Sequence, residues 1–120
     1  MSFGDHLASV VKQVDGALAC SIMGFDGIAV ETHQREGAEE LELQATWIEY
    51  GNVVSQLKDA AQALKSGEVQ EVSVNTERVI TIMRLLSPEY FLVLALEATG
   101  NYGKGRYALR IAAPKVRSEL

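Results

Sequence analysis

Apolar residues recur along this chain with two different periods, and the switches between them mark out its elements. Phe3, Leu7, Val10, Val11 and Val14 return at helical spacing, which predicts an amphipathic helix over residues 3–14. Ser2 and Asp5 stand at its start with the spacing of a capping box, Asp taking the place of the usual Glu. Asp15-Gly16 ends it. In ALACSIM, residues 17–23, Leu18, Cys20 and Ile22 alternate with Ala17, Ala19, Ser21 and Met23, so both faces are apolar. A strand of that kind has to be covered on both sides. GFDG (24–27) reads as a tight turn, and IAVET (28–32) as the returning strand of a hairpin, with Ile28 and Val30 on one face.

The period then changes to that of a long helix over residues 40–65. Leu43, Trp47, Tyr50, Val54, Leu57, Ala61 and Leu64 step by four and three, giving one continuous apolar stripe. Glu36, Glu39, Glu40 and Glu42 lie near its N-terminus, where the helix dipole favours them, Lys65 lies near its C-terminus, and Gly67 is a stop signal. Three strands follow, VQEVSVN (69–75), RVITIMRLL (78–86) and YFLVLAL (90–96), joined by links too short for anything but antiparallel neighbours. Residues 104–113 form a last helix that should end or bend near Pro114.

Both ALACSIM and YFLVLAL need cover on two faces. The economical arrangement makes them sheet neighbours, with the long helix on one face and the two terminal helices on the other. IAVET and VQEVSVN are then the sheet edges. The expected fold is therefore an α+β sandwich around a five-stranded antiparallel sheet.

At 120 residues this is one domain, 1–120, and no segment is long enough to span a bilayer. The opening MSFGDHLASVVKQ brings in acidic and polar groups too early for a signal peptide. With a single cysteine, Cys20, no internal disulfide forms, and a reducing cytoplasm is the expected setting. Charge changes the picture more. Residues 1–103 carry 15 acidic and 6 basic side chains, −9 in all, whereas Lys104, Arg106, Arg110, Lys115 and Arg117 face only Glu119, leaving +4 on residues 104–120. An acidic body argues against general nucleic-acid binding.

EATGNYGKGRY, residues 97–107, follows an apolar strand and looks at first like a phosphate-binding loop. The motif requires Gly, four residues, then Gly-Lys-Ser/Thr. Aligning Gly103-Lys104 to its end puts Ala98 at the first glycine and Gly105 at the magnesium-binding hydroxyl, so no nucleotide binds by this route. Gly100, Gly103 and Gly105 instead allow a sharp turn from a central strand into a helix. His6 and His33 lie on different elements, and Cys20 sits mid-strand in apolar company, so no metal site is expected. Ser21 and Ser73 have no histidine near them and no nucleophile elbow, and Asp26 serves the turn. No catalytic or cofactor-binding residue is assigned. A small-molecule sensor, the alternative, would need a cavity with convergent polar groups, and the expected core positions are almost all apolar.

What remains is surface. Opposite the buried stripe, the long helix presents Thr46, Glu49, Val53, Gln56, Ala60 and Ala63, a face with little charge that permits close approach of a partner. The edge strand, represented by Val69, Glu71, Ser73 and Asn75, invites a second copy to pair with it, and Glu71 alone is weak protection.

The turn MGFDGIAVET, the helix ending AAQALKSG, the strand EVSVN and the run YFLVLALEATGNYGKGRYALRIAAP together resemble the Roadblock/dynein-light-chain family over nearly the whole chain. Within it the likeness is to the bacterial MglB-type branch or a paralogue of it. The resemblance implies a sheet in the order second, first, fifth, fourth, third, in agreement with the arrangement above. It also implies a homodimer, with the middle helices (here 40–65) side by side and the third strands (here 69–75) able to join two sheets. Such dimers are platforms for Ras-like GTPases of the MglA type or for other Roadblock proteins of the MglB type, in polarity and motility. The resemblance implies a regulator with no active site and no arginine finger, so Arg78, Arg84 and Arg106 take no such role. Any place at a cell pole would come through partners. MglB-type chains commonly run on past the last helix, whereas this one stops at Leu120, which favours a paralogue acting through another Roadblock protein.

Overall fold

The computed structural model describes residues 1–38 and 42–120. Three helices and five strands follow one another as α1 (Phe3–Gln13), β1 (Ala17–Gly24), β2 (Ala29–Gln34), α2 (Leu43–Ala63), β3 (Glu71–Asn75), β4 (Val79–Leu85), β5 (Tyr90–Glu97) and α3 (Tyr102–Arg117). The strands form one antiparallel sheet in the order β2-β1-β5-β4-β3. β1 and β5, apolar on both sides, are central neighbours as expected, with Cys20 opposite Leu94 and Ile22 opposite Leu92. One face of the sheet, including Cys20, Ile22, Ile82 and Leu94, packs against Leu7 and Val10 of α1 and Leu109 and Val116 of α3. The other face, including Ala19, Met23, Val93 and Ala95, packs against Leu43, Trp47 and Val54 of α2. Gly51 lets α2 come down on the sheet, since a Cβ there would lie 3.2 Å from the Phe91 ring.

The α1 capping box forms as read. Ser2 N donates to Asp5 Oδ2 (3.1 Å) and Asp5 N donates to Ser2 Oγ (3.2 Å). The Ser2 N–H and hydroxyl hold the Asp5 carboxyl below the usual carboxylate range. That contribution is present above the ordinary carboxylate pKa and is lost as the pH falls through the lowered value.

Several expectations need correction. β2 begins at Ala29, not Ile28, and Ile28 and Val30 are both exposed. The register shifts between Ile22 and Met23, and β2 is an edge strand. β3 is shorter than expected, starting at Glu71, although Gln70 O still accepts from Leu85 N.

The start of α2 carries no acidic residue in its first turn, and its N-cap Glu42 makes no side-chain capping bond. Glu39 and Glu40, and the expected helix start at residue 40, lie outside the described residues. At the other end, Ser66 N donates to Ala61 O (2.9 Å) and Lys65 N to Gln62 O (3.1 Å). That is a Schellman closure with Lys65, not a glycine, in the left-handed position (φ 58°). Gly67 comes two residues later. Lys65→Gly is therefore expected to stabilise the fold by about 0.5–1 kcal/mol, the strain relieved exceeding the added freedom of the unfolded chain. An unchanged or lower urea midpoint would contradict this.

α3 does not end at Pro114 but continues to Arg117. Proline removes one helical hydrogen bond, but the turn beyond it is held from outside. Ala113 and Val116 are buried in the core, Ser118 N donates to Pro114 O (3.1 Å), and Arg117 Nε donates to Leu86 O (2.6 Å).

Candidate functional site

α2 divides between sheet and solvent differently from the stripe seen in the sequence. Leu43, Trp47 and Val54 are buried, and Tyr50 and Ala61 are half-buried. Lys58 also turns inward, its Nζ donating to Pro88 O (3.0 Å) and lying 3.9 Å from the centre of the Phe25 ring. Leu57 and Leu64, expected to continue the buried stripe, are 43% and 77% exposed. Val53 is 53% exposed. The geometry accounts for this. A straight helix advances by 3.6 residues per turn, so a four-three repeat drifts round the axis and leaves the sheet by the last turns. The result is an uncovered seam at Thr46, Val53, Leu57, Ala60 and Leu64, with half-buried Tyr50 at its inner margin completing the four-three steps.

All six residues of the expected partner face, Thr46, Glu49, Val53, Gln56, Ala60 and Ala63, are exposed. Thr46, Val53 and Ala60 belong to the seam. Glu49, Gln56 and Ala63 lie further round the helix. The seam residues Leu57 and Leu64 were missed because a wheel read from sequence cannot say how wide the covering sheet is.

Beside α2 lies the β3 edge, which has β4 on one side and no strand on the other among the described residues. Glu71, Ser73 and Asn75 stand opposite Arg84, Ile82 and Ile80, so their side chains share the face that α3 covers. Glu71 accepts from Arg106 at 3.0 Å (Nε) and 2.7 Å (Nη2), and this hydrogen-bonded pairing pushes the arginine pKa up further. Ser73 Oγ accepts from Tyr102 Oη at 3.1 Å. The charge of Glu71 is thus folded in towards α3 and does not guard the edge. Val69 precedes the strand and is half-buried.

Elsewhere the polar groups are used locally. Ser21 Oγ donates to Glu31 O (3.0 Å), Asp26 Oδ1 accepts from Ile28 N (3.0 Å), and His6 Nε2 lies 3.2 Å from Glu119 Oε2. Cys20 is fully buried, and burial pushes its thiol pKa well up, which keeps it protonated and inert. Among the described residues no three of His, Cys, Asp or Glu gather as metal ligands, and no helix is long and apolar enough to cross a membrane. The glycine-rich run after β5 is a packing device. Gly100 N donates to Glu97 O (2.8 Å), Asn101 caps α3 by accepting from Lys104 N (3.0 Å), and a Cβ on Gly105 would lie 3.0 Å from Ile82 Cδ1. A hollow of about 1060 Å³ lined by residues including Lys58, Lys65, Gln70, Arg84 and Arg117 is an open trough, not an enclosed ligand cavity.

The exposed features this fold presents are an apolar seam on α2 and the open β3 edge of the sheet. No protein-family profile matches the chain, and no curated protein sequence does. Among solved structures it is similar to MglC from Myxococcus xanthus, with 64% identity over 100% of both chains and a TM-score of 0.72. It is also similar to the Roadblock/LC7 domain from Streptomyces avermitilis (12% identity over 99% of this chain and 98% of that one, TM-score 0.82). The gliding protein MglB from Thermus thermophilus matches at 17% identity, over 97% of this chain and 88% of that one, with a TM-score of 0.82. MglC has the highest identity of the three and the lowest TM-score. Family membership rests on that identity, and the two distant proteins contribute the fold alone. The chain belongs to the Roadblock/LC7 family, and within it the chain is similar to MglC over its full length.

Proposed function

We propose that this protein is a homodimeric, non-enzymatic platform in a module built around a Ras-like GTPase of the MglA type. It contacts the GTPase directly or through another Roadblock protein of the MglB type, in the control of cell polarity or motility. The observation that carries the reading is the α2 seam. Val53, Leu57 and Leu64 expose large apolar side chains in a four-three series with the small Ala60 between them. Such a series pairs with a second helix of the same kind, and the full-length likeness to MglC supports the same reading. With two copies joined there, the β3 edges from Glu71 to Asn75 are available to join the sheets. Glu49, Gln56 and Ala63 remain on the side offered to a third chain.

Ala60→Arg tests the seam. Residue 60 is exposed in the single chain, so the fold should be retained. A charge buried without a partner at the interface should weaken self-association by about 100-fold or more. Light scattering across a dilution series gives the answer, and an undiminished dimer would move the interface elsewhere. Calorimetric titration into an MglA-type GTPase carrying a non-hydrolysable GTP analogue tests the partner. Heat at two protomers per GTPase supports direct regulation. No heat, together with binding to an MglB-type protein, supports the adaptor form, and failure with both refutes the proposal.

A further inference from the structure

The outer face of α3 is used by neither the sheet nor the α2 seam, and its chemistry differs from the rest of the molecule. Tyr107, Ile111 and Pro114 form its exposed centre line, with Tyr107 49% and Ile111 44% exposed. At 100° per residue, Lys104 and Lys115 flank that line on one side and Arg106 and Arg110 on the other. Lys104 Nζ lies 5.4 Å and the Arg110 guanidinium 5.7 Å from the centre of the Tyr107 ring, so cations and aromatic form one surface.

The charges on this face are largely unmatched. The chain has 16 acidic side chains, yet among the described residues no carboxylate pairs with Lys104, Arg110 or Lys115. Beside Tyr107 a hollow of about 220 Å³ is lined by Arg84, Arg106 and Arg110 with Glu71. Glu71 is already taken by Arg106, and Arg84 has no acidic partner among the described residues. Three guanidinium groups thus share one carboxylate, in a recess with room for a second.

We propose that the outer face of α3 docks an acidic amphipathic helix of a partner protein. Apolar residues of that helix would lie along Tyr107, Ile111 and Pro114. Its glutamates or aspartates would meet the flanking cations, and one carboxylate would enter the Arg84–Arg106–Arg110 recess. A row of apolar side chains between two rows of cations matches a helix with an apolar row between two acidic rows. From Lys104 to Lys115 the face runs for about 17 Å, about three turns of such a helix. An apolar line between two rows of cations fits a helix with an apolar row of its own better than a nucleic-acid backbone, whose phosphates offer nothing to lay along Tyr107 and Ile111. Two protruding large side chains are also a small anchor for a membrane.

The probe is a fluorescein-labelled helical peptide of about 20 residues with a leucine row flanked by glutamates. It is titrated into the full chain by anisotropy, with amide chemical shifts followed by NMR. Saturable binding is expected, weakening as salt rises, with the largest shifts over Tyr107–Lys115. Arg110→Glu and Tyr107→Ser should each weaken it by about tenfold or more. Both positions are exposed, so circular dichroism should show the fold unchanged. Ala60→Arg, which leaves α3 untouched, should bind the probe as the wild type does, separating this proposal from the function proposed above. The proposal is overturned by absence of binding or by equal affinity for a peptide with lysines in place of glutamates. Shifts confined to α2 or β3, or binding to phosphatidylcholine–phosphatidylglycerol vesicles without binding to the peptide, also overturn it.

Discussion

Trp47→Ala is expected to cost about 3–5 kcal/mol of unfolding free energy, enough to leave the protein marginal at physiological temperature. Trp47 is 1% exposed and is the largest side chain that α2 lays on the sheet, in a cluster with Leu18, Met23, Met83, Phe91 and Val93. Deleting the indole opens a cavity between two rigid layers that can collapse only partly. Its Nε1 has no hydrogen-bond partner, and a buried donor left unsatisfied is itself destabilising by about 1–3 kcal/mol. Trp47→Phe removes that donor while keeping a ring in place, so it should lose less than about half of what alanine loses. Because the proposed dimer couples stability to concentration, urea curves should be compared at one protomer concentration. A loss under about 1 kcal/mol for the alanine variant would mean that α2 is not anchored at this position.

Gly16→Ala is expected to cost about 2–4 kcal/mol, from a cause absent from any helix or strand propensity. Gly16 turns α1 into β1 with φ at +84°, and a Cβ there would lie 2.6 Å from Gly100 Cα. The two turns are bonded as well as packed: Glu97 N donates to Gly16 O (2.8 Å) and Asn101 N to Asp15 O (3.0 Å). An alanine would have to push apart the junction that seats both terminal helices. Gly103→Ala is the contrast, since the space around Gly103 is open apart from Asn101 Oδ1 at 3.9 Å. It should change stability by no more than about 1 kcal/mol, in the favourable direction. Equal effects from the two substitutions would show that the Gly16–Gly100 contact does not hold the turns together.

The elements and their layers were legible because each rests on a local period. Ala17–Met23 and Tyr90–Leu96 are apolar on both faces, which makes them the centre of any sheet they join, and antiparallel links of two or three residues leave little choice for β3, β4 and β5. The capping box at Ser2 and the turn at Asp26 are equally local, each satisfied within three residues. The neutral outer face of α2 was also visible, as Thr46, Val53 and Ala60 show.

The sequence by itself determined which segments form helices and strands, how the sheet is ordered and where one apolar stripe begins, since all of these follow from spacing along the chain. Only the tertiary structure decided where burial stops. Leu57 and Leu64 carry the same stripe as Trp47, but the four-three repeat drifts round the axis of α2 and turns them away from the sheet, and an interior pattern becomes an exposed seam. Pro114 reads as a stop, yet burial of Val116 and the Arg117–Leu86 bond carry the helix past it. Glu71 reads as weak protection for the β3 edge, and Arg106, 35 residues further along the chain, draws even that charge inward. In each case the deciding partner is distant in sequence, and a local period carries no record of what lies across the fold.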